Sequence, residues 1–278
     1  MKIIRKDILV QARDARIVSL EVLAPEIAKK ALSGQFVVLM ATEAGERIPL
    51  TIVESDVGRG AIRVIFQEVG LTTRLLGKLE PGESLFALAG PLGHPTEIKK
   101  YGRVILVGGG VGIAEIYPVA KGFKAAGNQV TVILGARTKE LLILEAELKK
   151  LSDAFYVATD DGSSGRKGFT TDILKELLTH DPRPTTHDLV YAVGPIPMMQ
   201  RVAAVAKDSG VKVIVSLNAL MVDGTGMCGC CRVNVGGETK FSCVDGPEFD
   251  GQLVDWEGLI KRNKAYAEQE KHICKIAR

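Results

Sequence analysis

The chain has 278 residues, 46% hydrophobic and 25% charged, with a net charge of +3. That length suits two domains of roughly 100–200 residues each, and so small a basic excess gives no argument for a nucleic acid or an anionic membrane as partner. No apolar run reaches the ~20 residues that span a bilayer, and the N-terminal stretch MKIIRKDILVQARDARIVSLEV lacks the apolar core and cleavage site of a signal peptide, so a cytoplasmic protein is expected.

Residues 1–97 read as all-β. Apolar strand patterns fall at Arg16–Val22, Gln35–Met40, Ile48–Val53, Ala61–Gln67 and Ser84–Leu88, punctuated by Gly45, Gly58, Gly60 and Pro81-Gly82. Short strands at this spacing predict a small antiparallel barrel. One helical segment, Thr72–Leu79, follows Gly70. Two stretches here carry chemistry. In Arg47-Ile48-Pro49-Leu50-Thr51 a guanidinium can clamp a pyrophosphate, and the Thr51 hydroxyl, the candidate catalytic group, can hydrogen-bond a flavin ring nitrogen. Standing alone, the stretch would be read instead as an ordinary strand with a surface arginine. Gly70-Leu71-Thr72-Thr73 opens a helix, an arrangement suited to anions.

Residues 98–217 change pattern. Strands at Arg103–Val107, Val130–Leu134, Ala154–Ala158, Leu189–Val193 and Val211–Val215 alternate with helices at Ala114–Ala126, Thr138–Lys150, Thr170–Leu178 and Ile196–Ser209. Apolar strands between helices predict a parallel sheet covered on both faces. Ligands of such sheets bind beyond the carboxyl ends of the strands. There the sequence places Gly108, Gly109, Gly110, Val111 and Gly112 with Ile113, then Gly135-Ala136-Arg137, Thr159-Asp160-Asp161-Gly162 and Gly194-Pro195. Glycines before a helix let backbone approach phosphates, and Arg137 can reach a ribose or phosphate. Each stretch alone could be a tight turn; four at one end of a sheet predict a shared nucleotide cleft.

Residues 218–250 are rich in Gly, Cys and Asp, with strand pieces at Arg232–Val235 and Thr239–Ser242. Cys228, Cys230, Cys231 and Cys243 lie here, and Cys274 stands apart. Cysteines packed this tightly favour metal ligation over disulfides. A [2Fe-2S] cluster takes four thiolates from a glycine-rich loop, commonly spaced C-x4-C-x2-C…C. Cys228, Cys231 and Cys243 supply three donors. Asp223 occupies the first position of that spacing, and Cys230 is its rival. A structural zinc site remains the competing reading. Residues 251–278 form a tail, with a charged amphipathic helix over Trp256–Arg278 on which Cys274 would pack.

In this order the pieces resemble, across the whole chain, the ferredoxin–NADP reductase-like flavoproteins. Within them the sequence is similar to the branch of the dihydroorotate dehydrogenase electron-transfer subunit and the small (alpha) subunit of the NADH-dependent ferredoxin:NADP oxidoreductase, also described as sulfide dehydrogenase. The resemblance implies an α/β plus all-β fold: an N-terminal antiparallel FAD-binding barrel, a parallel-sheet nucleotide-binding domain and a C-terminal [2Fe-2S] subdomain. It assigns FAD to Arg47, Pro49, Leu50 and Thr51, to Ile65 and Gln67, and to Gly70, Thr72 and Thr73. It assigns NAD(H) to Gly108–Gly112 and Gly194-Pro195, and reads Ala89–Gly93 as the turn before the nucleotide domain. An aspartate with three cysteines belongs to the transhydrogenase branch, whereas the dihydroorotate branch is expected to carry four cysteines.

The implied function is hydride exchange between NAD(H) and FAD, with single electrons passing through the cluster. The implied partner is a larger FAD and [4Fe-4S] subunit in an electron-bifurcating heterodimer, which reaches ferredoxin. Two alternatives stand beside it: an electron-transfer subunit of a dihydroorotate dehydrogenase, and a non-redox nucleotide-binding regulator with structural zinc.

Overall fold

The computed structural model describes residues 1–179 and 188–269, and these form two compact units. The first comprises Met1–Pro95, Ala219–Pro247 and the described residues from Asp255 onward; the second comprises Thr96–Asn218 and Glu248–Val254. The segment 219–247 is thus a part of the first unit rather than a body of its own.

In the first unit, β1 (Ile3–Gln11), β2 (Arg16–Leu23), β5 (Glu54–Asp56) and β6 (Ala61–Gln67) form an antiparallel sheet in the order β1-β2-β6-β5. A second sheet has β3 (Phe36–Met40) between β4 (Ile48–Thr51) and β7 (Ala87–Leu92). The strands expected to close a barrel are therefore paired as two sheets. Leu20, Val22, Ile62 and Phe66 of one and Val37 and Leu39 of the other share a core with Leu76 of helix α2 (Leu71–Lys78). A four-residue helix, α1 (Pro25–Ala28), follows β2. The strand expected at Ser84–Leu88 lies later, so Gly90 and Pro91 are in β7 and not in a turn. Proline is tolerated there because β7 is an edge strand, hydrogen-bonded only to β3.

The second unit is built on β8 (Arg103–Gly109), β9 (Gln129–Ala136), β10 (Ala154–Thr159), the two-residue β11 (Arg166–Lys167), β12 (Leu189–Val193) and β13 (Val213–Ser216). These are parallel where paired, in the order β11-β10-β9-β8-β12-β13. Helices α3 (Ile113–Ala125), α4 (Glu145–Leu151), α5 (Thr170–Thr179) and α6 (Ile196–Asp208) connect them. The helix expected over Thr138–Lys150 is instead a single 3-10 turn, Lys139–Leu141, followed by the shorter α4. The run Leu141–Leu144 breaks it: Leu141, Ile143 and Leu144 are all buried, and Leu144 takes a positive φ of 54°. A single helical stripe cannot bury so continuous an apolar run.

After β13 the chain leaves for the hairpin β14 (Arg232–Val235) and β15 (Glu238–Phe241) in the first unit. It then returns as β16 (Glu248–Asp250), an antiparallel edge strand on β13, and ends its described course with α7 (Trp256–Asn263). Cys274 and the far end of the expected tail helix lie outside the described residues.

A polar cluster interrupts the core of the second unit. The buried Tyr191 hydroxyl lies 3.0 Å from Glu115 Oε1 and 2.8 Å from Glu248 Oε1, and Thr96 donates to that same Glu248 oxygen at 2.5 Å. A tyrosine has one proton for two carboxyl contacts, so one carboxyl must supply the other. Burial accordingly pushes Glu248 up to about 7 and Tyr191 well above its ordinary value.

Candidate functional site

In the first unit the three stretches expected to hold a flavin come together. Pro49, Leu50 and Thr51 are half-buried in β4, opposite Val38, Val37 and Phe36 of β3, and Arg47 is exposed just before them. β4 lies beside β6, which carries buried Ile65 and half-buried Gln67. Gly70 caps α2, and the Thr72 hydroxyl donates to Glu46 Oε2 at 2.8 Å, tying that helix start to the residue before Arg47. Glu46 is a contributor that the sequence reading passed over. The Thr73 hydroxyl accepts the Val69 and Gly70 N–H groups, both at 3.0 Å, and so shapes the turn itself. A side chain at Gly70 would meet nothing within 4 Å. The turn is open at that position.

In the second unit, Gly108 and Gly109 close β8, Gly110–Gly112 make one 3-10 turn, and buried Ile113 begins α3. These glycines divide by physical role. A Cβ on Gly112 would sit 2.8 Å from Val193 O, one on Gly194 would sit 3.0 Å from Gly109 Cα, and one on Gly108 would sit 2.8 Å from Ile116 Cγ1. Packing alone excludes side chains at those three. Gly110 differs: its φ is +56°, and nothing lies within 4 Å of where its Cβ would be. Gly135 and Ala136 end β9, where a Cβ on Gly135 would meet Thr170 Cγ2 at 2.5 Å. Arg137 is exposed beyond them.

Asp160 and Asp161 are exposed after β10. Asp161 accepts from the Ser163 hydroxyl at 2.6 Å and the Ser163 N–H at 2.9 Å, which hold its carboxyl below the ordinary value. Pro195 follows Gly194 at the end of β12 and precedes α6. The sheet runs β8-β9-β10 one way and β12-β13 the other. The Gly108–Gly112 turn and Gly194 therefore meet at the topological switch point, the crevice where open α/β sheets bind ligands.

The cysteine segment is seated on the first unit. Gly224 has φ +77°, and a Cβ there would lie 2.7 Å from Val38 Cγ2 and 3.0 Å from Leu92 Cδ1, so backbone presses directly on β3 and β7. His94 N–H donates to Gly246 O at 2.7 Å at the far end of the segment. The half-buried Asp223 accepts Thr225 N–H and Cys228 N–H, both at 2.8 Å, and the Thr225 bond leads in holding its carboxyl below the ordinary carboxylate range. Cys231 and Cys243 are buried with their sulfurs 3.2 Å apart. Of the candidate donors, Cys231 and Cys243 sit as a pair of sulfurs, while Asp223 meets Cys228 through its backbone N–H. Among the described residues, no three His, Cys, Asp or Glu side chains gather closely enough to hold one metal ion.

Backbone N–H groups point at the sulfurs. Cys230 donates to Cys228 Sγ at 3.5 Å and Cys243 to Cys231 Sγ at 3.4 Å. The Cys230 N–H is the leading cause holding the Cys228 thiol below its usual range, whereas burial pushes Cys243 up to about 12. A thiol must lose its proton to ligate a metal. Four oxygen and sulfur donors, positive-φ glycines at 224, 226 and 229 and inward N–H groups fit an iron–sulfur centre. Among the described residues, no helix is long and apolar enough to cross a membrane.

Residues 106–204 match a family model for the oxidoreductase NAD-binding domain, and residues 218–255 match one for the iron-sulfur cluster binding domain of dihydroorotate dehydrogenase B. The chain is 51% identical over 248 residues to the dihydroorotate dehydrogenase B (NAD(+)) electron transfer subunit homolog of Thermotoga maritima, covering 89% of this chain and 86% of that one. It is 36% identical to the dihydroorotate dehydrogenase B (NAD(+)) electron transfer subunit of a Geobacillus species, covering 80% and 86%. Among solved structures, one of the NADH-dependent reduced ferredoxin-NADP oxidoreductase, from work on flavin-based electron bifurcation, superposes with a TM-score of 0.90 at 46% identity, covering 98% of this chain and 95% of that one.

Proposed function

Because the chain belongs to the family of dihydroorotate dehydrogenase B electron-transfer subunits and their homologues, we propose that it is the FAD- and [2Fe-2S]-carrying subunit of an NADH-dependent, electron-bifurcating ferredoxin:NADP oxidoreductase. The observation that carries the choice of branch is Asp223, which stands at the first donor position and folds back onto the cysteine loop through Cys228 N–H. The Cys231 and Cys243 sulfurs, 3.2 Å apart, suit the two protein ligands that one iron of such a centre takes. When bound, FAD and the cluster supply the exchange between a hydride and single electrons.

The residues of this chain bind and orient. Arg47 meets the flavin pyrophosphate, and Thr51 and the end of β6 hold its ring. Gly110 leaves room for the nicotinamide nucleotide's phosphates at the start of α3. The partner is a larger FAD and [4Fe-4S] subunit in the cytoplasm, through which ferredoxin is reached. The match of residues 218–255 favours a second reading, an electron-transfer subunit serving a dihydroorotate dehydrogenase.

The deciding experiment is anaerobic purification with metal, flavin and absorption analysis, followed by reduction with NADH and identification of the co-purifying chain. One FAD and about two irons per chain are expected, the stoichiometry of such a cluster. Stoichiometric zinc without iron would overturn the redox reading. Dihydroorotate oxidation by the complex would select the second reading.

A further inference from the structure

Helix α7 is fastened to the cysteine segment at three points. Asn263 Oδ1 accepts the N–H of Leu220, Arg262 Nη2 donates to Cys230 O at 3.1 Å, and the N–H of Asp255, which caps the helix, donates to Asn234 O at 2.8 Å. Leu259, 2% exposed, anchors the helix in the unit. We propose that Arg262 is a positioning residue for the iron–sulfur centre. It fixes the peptide that joins Cys230 to Cys231 and sets a positive charge beside the loop, which raises the reduction potential of the group held there. This rests on the reading of residues 218–255 as cluster-binding.

The choice of side chain supports a role beyond packing. Arg262 Nε is buried and has no hydrogen-bond partner among the described residues. A buried donor left without an acceptor carries its full desolvation cost, and an aliphatic side chain would fill the space without that cost. What a guanidinium offers in return is a fixed fork of donors and a permanent charge. The peptide it grips leads directly into Cys231, whose sulfur lies against that of Cys243. Around the donors, Asp223 and three thiolates already accumulate negative charge, so adding an electron is opposed by all four. A cation held in a partly buried position favours the reduced form more than the oxidised one. Arg232 also approaches this loop, its Nη1 3.5 Å from where a Gly229 Cβ would be, but it is exposed, and solvent and salt screen such a charge.

The test uses the full chain purified anaerobically as wild type, Arg262→Gln, Arg262→Lys and Arg232→Gln. Each is assayed for iron content and for its potential in a titration followed by electron paramagnetic resonance. At full iron content, Arg262→Gln should lower the reduced-to-oxidised ratio at a fixed potential about tenfold, equal to 59 mV for one electron. Arg232→Gln should shift it much less. Arg262→Lys keeps the charge but loses the fork, so its potential should stay near wild type while its spectrum changes shape. A wild-type potential in an iron-replete Arg262→Gln protein overturns the inference. If that variant holds no iron, the lysine variant decides: a spectrum identical to wild type overturns the proposal, and an altered one supports it. Absence of iron from the wild-type protein would instead overturn the cluster reading itself.

Discussion

Among the glycines of the 108–112 turn, Gly110 is the one at which conformation and open space coincide. Its positive φ disfavours any side chain, and the free volume beside it is where phosphate oxygens would sit. Gly110→Val should abolish or strongly slow flavin reduction by NADH while FAD stays bound, because the change lies in the second unit. Gly110→Ala separates strain from obstruction and should slow reduction less. Stopped-flow reduction kinetics check both, and unchanged rates for Gly110→Val would refute the role.

A second residue-scale expectation concerns ligand identity. Asp223→Cys should keep a centre with an altered paramagnetic spectrum, and Cys230→Ser should leave the spectrum unchanged. Loss of the centre in Cys230→Ser with survival in Asp223→Ala would reverse the assignment. A third follows from Glu248, whose pKa rises from 4.5 to about 7. The folded state binds the proton more tightly than the unfolded one. Its contribution is therefore full below about 4.5 and is lost as pH rises through 7, amounting to at most about 3 kcal/mol. Melting temperatures measured from pH 5 to pH 8 should fall more steeply for the wild type than for Glu248→Gln.

Among elements, the cysteine loop depends on its seat. Val38 and Leu92 belong to β3 and β7, and they approach Gly224 so closely that a larger residue must displace strand side chains. Gly224→Val adds strain of about 1–3 kcal/mol for a β-branched residue at positive φ. Iron content should fall while FAD content, which the proposed function assigns to β4, β6 and α2, is retained; iron analysis and flavin absorbance measure the two separately. The strand shift at β7 and the broken helix before α4 have related causes. Glycine and proline in Gly90-Pro91 read as punctuation in one dimension, yet an edge strand accepts both. The buried run Leu141–Leu144 carries no single period, so only its neighbours decide what backbone it adopts.

At the scale of the molecule, the chain leaves its parallel sheet after β13 and returns to it as β16. Val215 pairs with Phe249 and Ser216 with Glu248. A fragment ending at residue 218 would therefore expose the edge of β13, and exposed edges template association. Such a fragment should aggregate at concentrations where the full chain does not, as light scattering would show.

What the sequence determined by itself is whatever is local or periodic. The strands Ala61–Gln67 and Leu189–Val193 were legible from short-range pattern, as were the glycine turns at 108–112 and 194, and the spacing of Asp223, Cys228, Cys231 and Cys243 marked the candidate cluster loop. The order of functions along the chain was legible for the same reason, since each motif is contiguous. The tertiary structure alone decided which glycines are demanded by packing and which by open space, because Gly112 and Val193 meet only across the sheet. It alone gave β16 to the second unit, tied Glu46 to Thr72, joined Glu115, Tyr191 and Glu248 in one buried hydrogen-bonded cluster and brought Arg262 to Cys230. Each of these joins residues far apart in the chain. Their pairing is fixed by strand order and burial, neither of which leaves a period or a motif in the sequence to be read.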